Sequence, residues 1–280
     1  MKMFAGRTLV IATRHRKEQV IAPILEASLG VRCIVPPDLD TDRLGTFSGE
    51  VERKDDPLTT ARAKCAMALA ATGADLALAS EGSFGPHPQL FFLPSDEEVL
   101  LLVDTLNELE VYASHLDTRT NYSGTVIRTE QELRSFAEQV GFPEHGLILR
   151  RKKDDPGGLI KGITHADQLD LAFRQLITAQ GEVYVETDMR ALYNPTRMRV
   201  IEQTARKLVD RIQSCCPTCS RPGFGVTDLV RGLPCDWCGG PTQAVLYTRS
   251  ICSRCHHEVE NWYPQGRQVE DPGSCDRCNP

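Results

Sequence analysis

The chain has 280 residues, of which 41% are hydrophobic and 25% are charged, and its net charge is −6. A chain of this length and composition buries an ordinary core, which excludes a disordered protein. The negative charge argues against general binding to nucleic acid, because such binding depends on positive charge.

Two cysteines, Cys33 and Cys65, stand alone, whereas the others lie between Cys215 and Cys278. The apolar segment at residues 8–12 is too short for a signal sequence or a membrane span, so we expect a cytoplasmic protein. Cytoplasmic thiols stay reduced, and clustered cysteines there indicate metal ligands rather than disulfides. The sequence therefore predicts a body followed by a separate metal-binding module.

Strands and helices alternate in the first eighty residues, which is typical of an α/β domain. Gly30 suits the end of the first helix. The predicted elements are a strand at 9–12, a helix at 18–29, a strand at 31–35, a helix at 58–72 and a strand at 74–79, followed by a glycine- and proline-rich turn at 80–88.

Two polar segments are expected at the edge where open α/β sheets bind ligands, outside the carboxyl ends of strands. The first follows the opening strand and precedes a helix N-terminus, which favours phosphate; the second is the turn at 80–88, where glycines permit close approach. A solvated basic loop and an ordinary turn are the alternatives. The candidates are Thr13, Arg14 and Lys17 for phosphate binding, and Glu81 and His87 for catalysis.

The segments "LVIATRHRKEQVIAPILEASLGV", "TTARAKCAMAL" and "ADLALASEGSFG" resemble, in this order, the inosine triphosphate pyrophosphatase and Maf group of nucleotide hydrolases. That group has a Thr/Ser-x-Asn-x-x-Lys loop, a helix with a Lys-Ala pair, and a strand that ends in an Asp-Ser-Gly type of turn. The resemblance covers about residues 7–88. It implies that Thr13 and Lys17 belong to the loop, that Lys64 is the helix lysine and a further candidate for phosphate binding, and that Glu81 is the metal-binding acid.

The chain departs from that pattern at His15, which stands where the group has asparagine, and at Thr59 and Thr60, which replace an acidic residue and asparagine. The missing carboxylate could come from Glu50, Glu52, Asp55 or Asp56.

The middle of the chain continues the α/β pattern. Thr129 and Glu132 form a predicted capping box, and Gly141 ends that helix. The other predicted elements are two strands between 100 and 113, a strand at 145–150, a turn at 161–162, a helix at 167–180, a strand at 181–186 and a long helix that ends near 213.

Acidic and basic residues gather after the strand at 181–186. Carboxylates bind Mg²⁺ and arginines bind phosphate, so this cluster predicts the second half of a polyphosphate site. Ion pairs that tie the loop to the cysteine-rich region are the alternative. The candidates are Glu186 and Asp188 for catalysis and Arg190 and Arg197 for phosphate binding.

The region 214–280 contains four Cys-x2-Cys pairs. This spacing lets both thiolates converge on one ion, and two pairs complete a tetrahedron. Closed sites of this kind predict two structural zinc ions, whose binding supplies folding free energy. Sequential and cross-braced pairing both fit. The predicted ligands are Cys216, Cys219, Cys235, Cys238, Cys252, Cys255, Cys275 and Cys278.

The predicted fold is a mixed-sheet α/β body followed by two small tandem zinc ribbons. Residues 1–125 form a domain that resembles nucleotide pyrophosphatases, residues 126–213 its continuation or a small second domain, and residues 214–280 the ribbons. The whole chain, including "SEGSFGPHP" and "ETDMRALYNPTRM", also resembles a bacterial family described only as a domain of unknown function.

The leading hypothesis is hydrolysis of a nucleoside triphosphate, or a related phosphorylated small molecule, with Mg²⁺ or Mn²⁺. The alternative is a non-enzymatic nucleotide-sensing or adaptor protein that contacts a protein partner through the ribbons. Acidic residues outnumber arginines in the ribbons, and thiolates add negative charge, so nucleic acid is disfavoured as their partner.

Overall fold

The computed structural model describes residues 3–37, 39, 56–153, 155, 158–177 and 181–280. The chain divides into two compact units, Met1–Val209 and Asp210–Pro280. The finer division of the body near residue 125 stays a prediction. A search of the described residues found no helix with the length and hydropathy that crossing a membrane requires.

The body contains a sheet that mixes parallel and antiparallel pairing. Its strands are β1 (Thr8–Ala12), β2 (Arg32–Ile34), β3 (Leu76–Pro86), β4 (Pro94–Asp104) and β5 (Leu109–Asp117). They lie in the order β2-β1-β3-β4-β5; β1 runs parallel to β2 and β3, whereas β3, β4 and β5 pair antiparallel. This sheet, which we call sheet A, confirms the predicted mixed-sheet α/β body.

Helices α1 (Glu18–Leu29) and α2 (Pro57–Thr72) belong to this part of the body. α1 ends at Gly30, whose φ of 69° lies in the left-handed region that glycine adopts without strain. Asp56 caps α2, because its side chain accepts hydrogen bonds from the backbone N–H groups of Leu58 and Thr59. Asp56 is therefore a capping residue, and the other proposed replacement acids, Glu50, Glu52 and Asp55, lie outside the described residues.

One face of sheet A is covered by α2. Small side chains on both elements let the helix approach the strands closely, and burial raises the pKa of the Cys65 thiol to about 12, so this cysteine stays protonated. The buried contacts of this layer include Val10, Ala12, Ala77 and Ala79 on the strands and Ala61, Cys65 and Ala68 on the helix.

The glycine-rich segment at residues 80–86 is part of β3, so the predicted turn there is wrong. Every residue of β3 from Leu76 to Pro86 pairs with a residue of β4. Long-range pairing thus overrides the local preference of glycine for turns. The chain turns later, at residues 87–93, where the Nδ1 atom of His87 accepts hydrogen bonds from the backbone N–H groups of Gln89 and Leu90.

A second sheet, sheet B, follows in the same unit. This part of the chain contains β6 (Gly124–Ile127), α3 (Glu130–Gln139), β7 (Leu147–Arg150), β8 (Ile160–Ile163), α4 (Ala166–Ile177) and β9 (Val183–Thr187). Helix α5 (Pro195–Gln213) follows and includes the end of the first unit at Val209. The strand order is β6-β9-β7-β8, with antiparallel pairing. Thr129 caps α3 as predicted. The predicted turn at 161–162 is wrong, because these residues lie within β8.

The second unit contains an antiparallel sheet in the order β10-β11-β12. Its strands are β10 (Val226–Arg231), β11 (Val245–Ile251) and β12 (Glu258–Trp262). The four Cys-x2-Cys pairs lie in the turns around these strands.

Candidate functional site

The cysteine pairs of the second unit are cross-braced. The first and third pairs form one cluster, Cys216, Cys219, Cys252 and Cys255, and the second and fourth pairs form the other, Cys235, Cys238, Cys275 and Cys278. Within each, the Sγ atoms all lie within 4.8 Å of one another. The structure thus selects one of the two pairings that the spacing allowed. We call these groups the first and second cysteine clusters.

All four cysteine pairs share one backbone turn. In each, the N–H of the residue after the second cysteine donates to the carbonyl of the first: Ser220 to Cys216 at 2.8 Å, Gly239 to Cys235 at 2.9 Å, His256 to Cys252 at 3.0 Å and Asn279 to Cys275 at 2.8 Å. Backbone N–H groups of Arg277 and Cys278 lower the pKa of Cys275 to about 7, whereas the neighbouring sulfurs of Cys238, Cys235 and Cys275 raise the pKa of Cys278 to about 12, because thiolates this close repel one another unless a cation neutralises them.

The sulfur spacing fits a tetrahedral ion. The Sγ–Sγ distances are 3.6 Å for Cys216–Cys255 and Cys219–Cys252 and 3.7 Å for Cys238–Cys275. A tetrahedron with metal–sulfur bonds of 2.3 Å has edges of about 3.8 Å, whereas a disulfide bond is about 2 Å long. Each cluster can therefore hold one metal ion. Cys215 is exposed and belongs to neither cluster.

A group of charged side chains is buried on the face of sheet A that is turned away from α2. Lys17, which follows the loop after β1, donates from Nζ to the Ser80 hydroxyl at 3.1 Å and lies 3.9 Å from Oε2 of Glu98. Arg197, in the first turn of α5, donates from Nε to Oε1 of Glu98 at 2.6 Å. Asp96 lies on the same face of β4 as Glu98, two residues earlier. We call these five residues the buried polar cluster.

Three carboxylate oxygens of the buried polar cluster accept no hydrogen bond from any described residue. They are both oxygens of Asp96 and Oε2 of Glu98, and both residues have no exposed surface. Burial, together with the neighbouring Glu98, raises the pKa of Asp96 to about 8. Burial and the nearby Arg197 lower the pKa of Lys17 to about 7. Both pKa values are shifted from their ordinary values toward neutral pH, and strongly shifted pKa values are common at functional sites.

Glu81 and Lys64, the predicted metal acid and helix lysine, form a buried ion pair with each other. Glu81 follows Ala77 and Ala79 at every second position of β3, so the three side chains share the face of sheet A that contacts α2. The pair therefore lies on the face opposite the buried polar cluster. The structure therefore brings these two residues together on the other face of sheet A, where both charges still act on the pKa of Lys17.

The loop after β9 is held by its own ion pairs. Asp188 is buried and accepts hydrogen bonds from Nε of Arg190 at 3.0 Å and from the backbone N–H of Gly162 at 3.0 Å. Glu186 pairs with Arg150. Arg197 also donates to the carbonyl of Met189, which links this loop to the buried polar cluster. Of the four candidates in this loop, Arg197 is the one that the structure places in that cluster.

The loop between β1 and α1 turns Lys17 inward. His15 and Arg16 have φ angles of 67° and 62°, in the left-handed region that costs free energy for residues other than glycine. The Thr13 hydroxyl donates to the Arg14 carbonyl at 3.0 Å, and the Arg14 side chain is exposed.

Asp96 and Glu98 were missed from the sequence. The sequence does carry a pattern that indicates their burial. Asp96, Glu98, Leu100 and Leu102 occupy every second position of one strand and so share a face, and Leu100 and Leu102 are fully buried. Acidic residues that share a strand face with core leucines are expected to point inward with them.

A comparison with curated proteins found no relative that matches this chain. The profile of a family described as a domain of unknown function (DUF6671) matches residues 64–280. The matched region includes Asp96, Glu98, Arg197 and both cysteine clusters, and it starts after Lys17. Because the match spans well over half of the chain, the protein belongs to the DUF6671 family.

Proposed function

We propose that this protein is a metal-dependent hydrolase of a nucleoside triphosphate or a related phosphorylated small molecule. The observation that carries the proposal is the buried polar cluster, in which Lys17 and Arg197 lie beside Asp96 and Glu98. Cations that bind phosphate next to acids that bind a metal ion are the groups that phosphoryl transfer needs. Of the residues that the resemblance of residues 7–88 to nucleotide hydrolases implicates, Lys17 is the one that belongs to this cluster.

The residues of the cluster have separate roles in this proposal. Lys17 and Arg197 bind the phosphate oxygens and orient the substrate, since a guanidinium and an ammonium each donate several hydrogen bonds. A bound Mg²⁺ or Mn²⁺ supplies positive charge that offsets the charge developing on phosphate. Glu81 and Lys64 stabilise the sheet from its opposite face.

The two cysteine clusters hold structural zinc in this proposal. Four thiolates in a closed tetrahedron suit Zn²⁺ and leave no position for substrate. Reduced thiols are maintained in the cytoplasm, where we place the protein. The clusters then stabilise the second unit, because a small unit rich in turns buries little apolar surface of its own.

The test is a turnover screen of the zinc-loaded protein with Mg²⁺ or Mn²⁺ against standard and deaminated nucleoside triphosphates, with pyrophosphate and phosphate detected separately. We expect pyrophosphate release, and a loss on the order of 100-fold in kcat/KM for Lys17→Met. Lys207→Met, which changes an exposed lysine of α5, is the control and should leave turnover unchanged. Folded protein that turns over no member of the panel would contradict the proposal.

A second candidate function is an adaptor that senses a nucleotide and contacts a protein through the second unit. The exposed aromatic side chains there favour it: Trp237 is 78% exposed and Trp262 is 50% exposed. Exposed aromatic residues are enriched in protein interfaces. Nucleotide binding measured by calorimetry, without product release, would favour this function over hydrolysis.

A further inference from the structure

We infer that Asp96 and Glu98 together bind one divalent cation of the Mg²⁺ and Mn²⁺ class on the face of sheet A turned away from α2. The catalytic role of this ion rests on the proposed function, but the binding site rests on the geometry of β4. The sequence pattern had pointed to Glu81, Glu186 and Asp188 for this task.

The first support is the unused hydrogen-bonding capacity of these acids. Both oxygens of Asp96 and Oε2 of Glu98 are buried and accept no hydrogen bond from the described residues. Burying a carboxylate without a partner is costly, so such groups normally coordinate a metal, pair with a cation or take up a proton. Three such oxygens on adjacent inward positions of one strand are an arrangement that a bound cation would satisfy.

The two neighbouring cations leave these three oxygens without a hydrogen bond. Arg197 donates from Nε to the other oxygen of Glu98 and also donates to the carbonyl of Met189. Lys17 donates to both the hydroxyl and the carbonyl of Ser80, and its Nζ remains 3.9 Å from Glu98. Neither donates a hydrogen bond to the Asp96 carboxylate. With both acids ionised the four charges cancel, so an additional cation is needed before a polyphosphate can approach these carboxylates.

The donor set selects the class of ion. The available donors are carboxylate oxygens, which hard cations prefer. In the part of the chain that the structure describes, only the cysteine clusters bring three His, Cys, Asp or Glu ligand atoms within 4.8 Å of one another. Asp96 and Glu98 thus offer two side chains, which suits Mg²⁺, since it keeps several waters and is commonly completed by substrate phosphates.

The other candidate acids are already used. Glu81 pairs with Lys64 on the opposite face, and Asp188 accepts hydrogen bonds from Arg190 and Gly162. Moving either carboxylate onto a metal would leave a buried cation or a backbone N–H without its partner, at a cost of a few kcal/mol. Binding at Asp96 and Glu98 breaks no hydrogen bond of Asp96.

The test is calorimetric titration of the zinc-loaded full chain with Mn²⁺, alone and with inorganic tripolyphosphate. We expect one Mn²⁺ per chain in addition to the zinc ions, displaced by Mg²⁺. Asp96→Asn should weaken the affinity on the order of 100-fold, and adding Glu98→Gln should abolish binding. Asp104→Asn is the control, because it removes a buried carboxylate from the same strand, about 26 Å away along β4, and should leave the affinity unchanged.

Two outcomes would overturn the inference: no Mn²⁺ binding by the wild type, or equal affinity in the wild type and Asp96→Asn. Should Glu98→Gln unfold the protein by releasing Arg197, the affinity of Asp96→Asn alone decides, because the Asp96 carboxylate makes no hydrogen bond with the described residues. Mn²⁺ binding that depends on Asp96, without turnover of any nucleotide, would keep the metal site and reject the hydrolase. Turnover of a nucleotide together with an Mn²⁺ affinity that does not depend on Asp96 would keep the hydrolase and reject the metal site.

Discussion

Glu98 on β4 and Arg197 at the start of α5 are 99 residues apart in sequence and are joined by a 2.6 Å hydrogen bond from Nε to Oε1. Both side chains are buried. The bond connects sheet A to the segment that follows sheet B, so the buried polar cluster forms only when the whole body has folded. The Arg197 guanidinium also lies 4.9 Å from the centre of the Phe84 ring, which adds a cation–π contact.

Gly82 provides the space for this pair, because a Cβ atom at position 82 would collide with the Glu98 carboxylate and the Arg197 guanidinium. We expect Gly82→Ala to lower the free energy of unfolding by about 1–3 kcal/mol, the usual cost of overpacking. Gly85→Ala is the matched control, since a Cβ atom there meets no atom within 4 Å. Urea denaturation measures both variants, and equal stabilities would show that the close approach does not matter.

The ion pair between Glu81 and Lys64 predicts that Glu81→Gln damages the fold. Both side chains are buried, and removing one partner of a buried pair costs about 3–5 kcal/mol because the other charge stays behind. The double variant Lys64→Met/Glu81→Leu removes both charges, and its unfolding free energy should lie within about 2 kcal/mol of the wild type. Guanidinium denaturation of all three proteins gives these values.

The same double variant separates structure from catalysis. If Glu81 only stabilises the sheet, the folded double variant retains turnover. A stable double variant without turnover would show that this ion pair is needed for catalysis, as the sequence pattern had indicated for Glu81.

Several features could be predicted from local sequence. Gly30 and Thr129 mark helix ends through interactions within a few residues, and both helix ends are as predicted. The spacing of the cysteines likewise predicted the eight that converge in the two clusters, since each Cys-x2-Cys turn is a local structure.

Features that depend on distant pairing could not be predicted in this way. The segment at residues 80–86 has the composition of a turn, and it is a strand because β4 supplies a partner for every residue. Asp96 and Glu98 look like solvated acids at the start of a strand until Arg197 and Lys17 are placed beside them. The choice between sequential and cross-braced pairs also depends on the fold of the whole second unit.

The ion pair between Arg7 and Asp104 predicts a pH dependence of stability. Burial acts to raise the pKa of Asp104, but hydrogen bonds from Arg7 and Asn107 outweigh it and hold this pKa below its usual range. A carboxyl with a depressed pKa in the folded state stabilises the protein above its unfolded pKa of about 4, and this contribution is lost as pH falls through the folded pKa.

Asp104→Asn should therefore be less stable than the wild type at pH 7, and the difference should shrink as pH falls below about 4. Urea denaturation at several pH values measures the difference between the two proteins, in which the contribution of the cysteine clusters cancels. A difference that stays constant down to pH 3 would show that the carboxylate does not titrate with a depressed pKa.

The cross-braced clusters predict which thiols become reactive when one ligand is removed. Cys216→Ala opens the first cysteine cluster, so alkylation should reach its remaining members, including Cys252, while the second cluster stays protected. Native mass spectrometry should show one metal ion instead of two. Cys215→Ala changes an exposed thiol outside both clusters and should alter neither result. Sequential pairing would instead expose Cys235 and protect Cys252, so mass spectrometry of the alkylated peptides distinguishes the two arrangements through these two cysteines.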